Sequence, residues 1–133
     1  RNPFEPRELR IHPLTRLEAA PDTGEPNIEL YFELFDRWNH GVKALGTLVI
    51  ELYETGGAVS AARGGELQLK LWKVDLTDPD ENAIPYDRVT RTYHLSLADL
   101  PAGFSSRREP RLSVRFTTLS GEQLIAVHRL GTP

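Results

Sequence analysis

The chain has 133 residues, 39% of them hydrophobic and 26% charged, with a formal net charge of −3. That is the size and balance of one globular domain, long enough to bury a core without disulfides or a structural metal. The slight acidity argues against non-specific nucleic-acid binding, and the lack of cysteine excludes disulfides, thiolate zinc sites, Fe–S clusters and a cysteine nucleophile.

Residues 1–7 open on Arg-Asn-Pro-Phe-Glu-Pro without Met and read as a linker or the stub of a processed start. A removed leader would place the domain in the periplasm or on the cell surface, lipid-anchored if the leader were a lipoprotein's. A trimmed boundary would carry no address. Residues 8–133 then form a single domain, and no apolar run approaches the roughly 20 residues a membrane helix needs.

Leu9 and Ile11 alternate with polar neighbours over 8–12. Pro13 removes a ladder donor, which predicts an edge strand that breaks and resumes near Thr15–Leu17. Residues 20–27 are turn-rich. In 28–35, Ile28, Leu30, Phe32 and Leu34 share one face, and in 46–54 so do Leu48, Ile50 and Leu52. Joined through the turn-forming segment 36–41, these two strands are expected to pair as a hairpin, Leu34 with Leu48, Phe32 with Ile50 and Leu30 with Leu52. Tyr31, Phe35, Val49 and Tyr53 would then cluster on one outer face.

A small-residue loop, 55–65, leads to a strand at 66–74 with Leu67, Leu69 and Leu71 inward. Trp72 and Val74 break that parity, which predicts a bulge or a change of sheet. After an acidic loop at 75–87, alternation resumes over 89–97 with Val89, Tyr93, Leu95 and Leu97 inward. One helical turn is expected at Leu97–Pro101. The last strands, 111–118 and 122–129, form a hairpin around Ser120-Gly121, with Phe116 opposite Ile125 and Val114 opposite Val127.

About seven strands without intervening helices predict an all-β fold, an antiparallel β-sandwich, with a closed barrel as the structural competitor.

Chemistry-bearing residues are few. Asp75, Asp78, Asp80 and Glu81 are the best ion-site candidates, since calcium takes several oxygen ligands, but the EF-hand spacing is absent and the plainer reading is a solvated acidic loop. His12, His40, His94 and His128 lack metal-ligand spacing, although His94 and His128 share outer parity and could meet. No nucleophile elbow, phosphate loop or dinucleotide fingerprint occurs, and no cofactor is implied. Arg107, Arg108, Arg111 and Arg115 form a local basic run suited to an acidic partner or, more simply, to solvent. Trp38, Trp72 and the outer-face group Tyr31, Phe35 and Tyr53 are the candidate binding residues, as sugar platforms or as contacts for another chain.

The segment Asp36-Arg-Trp-Asn-His-Gly41-Val-Lys-Ala-Leu-Gly46 resembles the strand, "D-x-x-G", V-x-G, strand pattern of immunoglobulin-like and transthyretin-like sandwiches in bacterial surface and envelope proteins. Its Asp-to-Gly spacing is longer, and the usual proline before the valine is missing. The resemblance implies a spacer or binding module without catalytic residues. The resulting expectation is a non-enzymatic interaction or structural module of the cell envelope. A protein partner or a second copy would meet the outer face of strands 28–35 and 46–54. The alternative is a glycan- or calcium-binding domain.

Overall fold

In a computed structural model of the chain, residues 2–55, 62, 64–102, 104 and 110–130 are described. The elements in order are β1 (Glu8–Ile11), β2 (Arg16–Ala19), β3 (Pro26–Phe35), β4 (Gly41–Val42), β5 (Gly46–Glu54), β6 (Leu67–Leu76), a short helix (Pro79–Ala83), β7 (Tyr86–Asp87), β8 (Thr92–Leu97), β9 (Arg111–Thr118) and β10 (Gln123–Arg129). All strand pairings are antiparallel. They make two sheets, one centred on β3 and ordered β1-β3-β8-β7, the other ordered β10-β9-β5-β6. The fold is an all-β sandwich.

Period-two patterning builds the core. Ile28, Leu30, Phe32 and Leu34 of β3 face Leu48, Ile50 and Leu52 of β5 and Leu112, Val114 and Phe116 of β9, and all are sealed from solvent. Phe32 stacks on Tyr93 of β8 with ring centroids 4.9 Å apart, and Tyr86 meets Tyr93 edge-on at 5.1 Å.

The expected hairpin between 28–35 and 46–54 does not form. β3 lies in the first sheet, beside β8, and β5 lies in the second, between β9 and β6. Their apolar faces do meet, but across the core rather than along a ladder. Alternation says which side of a strand is buried and is silent on which strand lies next to it. Tyr31 and Phe35 therefore sit on the outside of one sheet, and Val49 and Tyr53 on the outside of the other.

The broken edge strand is present as expected. β1 pairs with residues 32–35 of β3 and β2 with residues 26–29. At the break the buried Thr15 hydroxyl donates to the Tyr31 carbonyl at 3.1 Å and accepts from the Tyr31 N–H at 3.0 Å. A side chain thus replaces the ladder bonds that Pro13 interrupts.

The bulge predicted near Trp72 is also present: the ladder slips between Leu52 and Tyr53, which face Lys70 and Gln68. Beyond the slip Trp72, Val74 and Leu76 turn inward, while Leu71, expected inside, is 41% exposed.

The final hairpin forms one residue out of the expected register. Phe116 faces Leu124 and Val114 faces Ala126, which leaves Ile125 and Val127 on the outer face. The loop Leu119-Ser120-Gly121 has three residues, with Gly121 at φ 94°, the left-handed residue of a bulged hairpin turn. An odd loop inverts the parity of the returning strand. Since Leu124, Ile125, Ala126 and Val127 are all apolar, the turn decides and the pattern does not.

Residues 97–101 contain no helical turn. The helix falls instead inside the acidic segment expected to be a loop, with Asp78 as its N-cap and Pro79 in its first turn. Val89 is likewise in a turn and exposed rather than inward.

Candidate interaction surface

The outer-face aromatics are half-buried, and cations do the covering. The Arg10 guanidinium lies 4.1 Å over the Phe35 ring, Arg16 lies 5.9 Å from Tyr31, and Arg111 lies 4.8 Å from Tyr53. In each pair the guanidinium itself is the group over the ring. Tyr31, Phe35 and Tyr53 therefore form no shared patch. Tyr31 and Phe35 lie on one face and Tyr53 on the opposite one, each near its own arginine.

Trp72 is also accounted for. Its ring packs against the core from β6, and its indole N–H donates to the Ala98 carbonyl at 3.1 Å, tying the second sheet to the segment that follows β8.

The four carboxylates proposed for calcium are spread from the end of β6, at Asp75, through the Asp78 cap into the short helix. Asp75 accepts from the Thr77 N–H and hydroxyl at 2.9 and 2.6 Å, which holds its carboxyl below the ordinary carboxylate value. Asp78 accepts from the Glu81 N–H at 3.0 Å. Between them the buried Asn82 amide donates to the carbonyls of Ala44 and Leu76, at 2.7 and 3.0 Å, and accepts from the Tyr93 hydroxyl at 2.7 Å. The segment is plugged into the core through Asn82, and Asp80 and Glu81 occupy its first turn. Among the described residues no three His, Asp or Glu side chains form a group that could hold a metal ion.

One polar cluster invites comparison with a hydrolase. On the outer face of the first sheet the nearly buried Glu29 carboxylate meets His94 Nε2 at 2.8 Å and Ser96 Oγ at 2.7 Å, and His94 stacks on Tyr31 at 4.2 Å. Both groups go to the same oxygen, Oε1. A nucleophilic serine needs its hydroxyl on the imidazole, with the carboxylate behind. Here the carboxylate is the hub, which fixes the three side chains to one another without activating Ser96. His128 does not meet His94, because the register of β10 turns it to the inner side opposite Leu112. Arg107 and Arg108 lie outside the described residues, as do Ser105, Ser106 and most of the 55–65 loop.

The remaining candidate, Trp38, is 48% exposed on a rigid turn. The buried Asp36 accepts from the N–H groups of Trp38 and His40 at 2.9 and 3.0 Å, and the backbone closes from Asp36 to His40 and from Asn39 to Asp36. Asn39 takes φ 66°, a conformation that asparagine tolerates. Phe4, 62% exposed, stands beside the indole with ring centroids 5.7 Å apart, and Arg37 lies 4.3 Å over the indole. Residues 3–6, expected as linker, are laid against the fold here: Pro6 is buried, and Arg7 donates to the Phe35 carbonyl at 2.7 Å. Beside the pair opens a cleft of about 380 Å³ lined by Phe4, Pro6, Lys43, Leu45, Leu119 and Ser120. Phe4 and the exposed Leu119 escaped the sequence reading. A phenylalanine between two prolines was the available signal for Phe4.

No family model matches the chain, and no curated protein matches it. Among solved structures it is similar to MtrC from Shewanella baltica OS185, at 12% identity and a TM-score of 0.58. The match covers 94% of this chain and 22% of that one, so the chain spans about a fifth of the protein it resembles. The likeness is one of fold. No helix among the described residues is long and apolar enough to cross a membrane.

Proposed function

We propose that the chain is a non-enzymatic interaction module that meets a protein partner through the end of the sandwich bearing Phe4 and Trp38, in an extracytoplasmic setting. The observation that carries this reading is the exposure of two adjoining rings, Trp38 on a turn locked by Asp36 and Phe4 beside it, where the outer-face aromatics are half-buried. Rigid, exposed aromatics beside a shallow cleft supply contact area at small entropic cost, as interface hot spots do. The kinship with immunoglobulin-like and transthyretin-like envelope domains suggested by the 36–52 segment belongs to the same proposal. The glycan alternative gains no support from Trp38, since a sugar ring stacking there meets the Arg37 guanidinium.

A photo-crosslinking side chain at position 38, in the native host, is expected to give one discrete protein adduct that Phe4→Ala abolishes. The same probe at the exposed position 89 is expected to give none. Equal labelling from both positions, or none from 38, defeats the assignment. A leader peptide in the parent reading frame would support the extracytoplasmic setting, and its absence would remove it.

A further inference from the structure

The two outer faces of the sandwich differ in charge, and the difference is complementary. On the first sheet the outward positions carry Glu8, Glu18, Glu29, Glu33 and Asp87 against Arg10 and Arg16, which pair with Glu8 and Glu18, while Glu29 is buried beside His94. On the second they carry Arg111, Arg115, Arg129 and Lys73 against Glu51, Asp75 and Glu66, the last paired with Arg111. One face is net acidic and the other net basic.

The basic face is also the more apolar. Reading across the strands, one row runs Ile125, Arg115, Val49, Lys73 and the next Val127, Ser113, Glu51, Leu71. Ile125, Val127 and Leu71 are 59%, 54% and 41% exposed, while β10 turns Ala126 inward. The chain thus places the larger β-branched side chains of this strand on the solvent side. Arg115 and Lys73 have no ion-pair partner among the described residues. Glu51 accepts from the Tyr53 hydroxyl at 2.5 Å, and Asp75 is held by Thr77.

We propose that the basic outer face of one molecule docks on the acidic outer face of a second copy. The opposed charges of two faces on the same molecule carry the choice of occupant. Because the faces lie on opposite sides of the sandwich, the contact is heterologous, head to tail, and does not close into a symmetric pair. Strands ~4.8 Å apart with ~3.3 Å per residue give roughly 500 Å² for the second sheet and roughly 400 Å² for the first. That is the low end of specific interfaces, so the association is weak and strengthens at low salt. It is independent of the Phe4–Trp38 end.

Sedimentation velocity of the 133-residue chain over a concentration series up to the millimolar range tests it. At low ionic strength the wild type is expected to form species above 15.0 kDa, with affinity falling by about tenfold or more in high salt. The double variants Lys73→Glu/Arg115→Glu and Glu18→Lys/Glu33→Lys should each be monomeric, and their equimolar mixture should associate again, because each then offers the charge the other lacks. Thermal melts of each variant alone confirm that these exposed substitutions leave the fold intact. A wild type that stays monomeric throughout overturns the proposal. So does association that survives charge reversal or salt, or a mixture that does not recover.

Discussion

Asn82 does more than any other polar residue to place the segment between the two sheets. Its amide satisfies two carbonyls, and its oxygen takes the Tyr93 hydroxyl proton, while that hydroxyl also accepts from the Ala44 N–H at 3.3 Å. Asn82→Ala leaves the Ala44 and Leu76 carbonyls and the Tyr93 O–H without this partner, and each unmet buried group costs about 1–3 kcal/mol. Urea unfolding is expected to show a loss of about 2–4 kcal/mol. His128 makes the second residue-level prediction. Burial pushes its imidazole below the ordinary value of 6.5, so the unfolded chain takes up the proton first. Stability should therefore fall as pH drops below about 6.5 and level off once the folded-state value is passed. Glu8, Asp75 and Asp87 have depressed values and lose their contributions only at lower pH. A melting-temperature profile from pH 7.5 to 5 should flatten in His128→Gln, and an unchanged slope would remove His128 as its cause.

At the scale of the elements, two positions decide whether strands can be neighbours. The Thr15 hydroxyl stands in for a backbone pair opposite Tyr31, so Thr15→Val keeps the shape and removes both bonds. A loss of about 1–3 kcal/mol is expected, with faster hydrogen exchange at the Tyr31 amide. Gly46 begins β5 where a Cβ would come within 2.4 Å of the Thr117 carbonyl and 2.5 Å of the Phe116 ring. Gly46→Ala must push β9 away from β5, and chemical denaturation should show a cost of about 1–3 kcal/mol or more. The legibility of the sequence divides at this same scale. The strands and their buried sides were readable, because alternation is written locally in Ile28, Leu30, Phe32 and Leu34 and again in Leu48, Ile50 and Leu52. Neighbour relations were not, because β3 and β5 present equivalent apolar faces and only the path of residues 36–45 places them in separate sheets. The one-residue slip of β10 was hidden in a four-residue apolar run whose parity the Gly121 turn selects. For the candidate site, Trp38 was legible as a tryptophan in a turn. Phe4 was not, because its partner is 34 positions away in the chain and prolines disguise the segment as linker.

For the molecule as a whole, the two sides where the sheets meet are built differently. On one, β1 lies close against β10. On the other, β7 pairs with only the first two residues of β8, and the gap is bridged by the Asn82 plug and by Trp72 reaching Ala98. Trp72→Phe keeps most of the packing and deletes the bridge. Hydrogen exchange is expected to quicken around residues 97–101 while the β5 and β9 amides hold their protection. Uniform acceleration would mean the indole supports the whole core instead.

The interruption at Pro13 has a meaning beyond local bonding. A long, straight border on a sheet is an invitation to any passing strand, since its open donors and acceptors accept a neighbour without regard to identity. By splitting that border into two four-residue pieces and turning one hydroxyl inward, the chain presents no continuous template on the β1–β2 side. A protein whose outer faces are suited to company thus keeps this border closed to indiscriminate partners, and recognition is left to side chains.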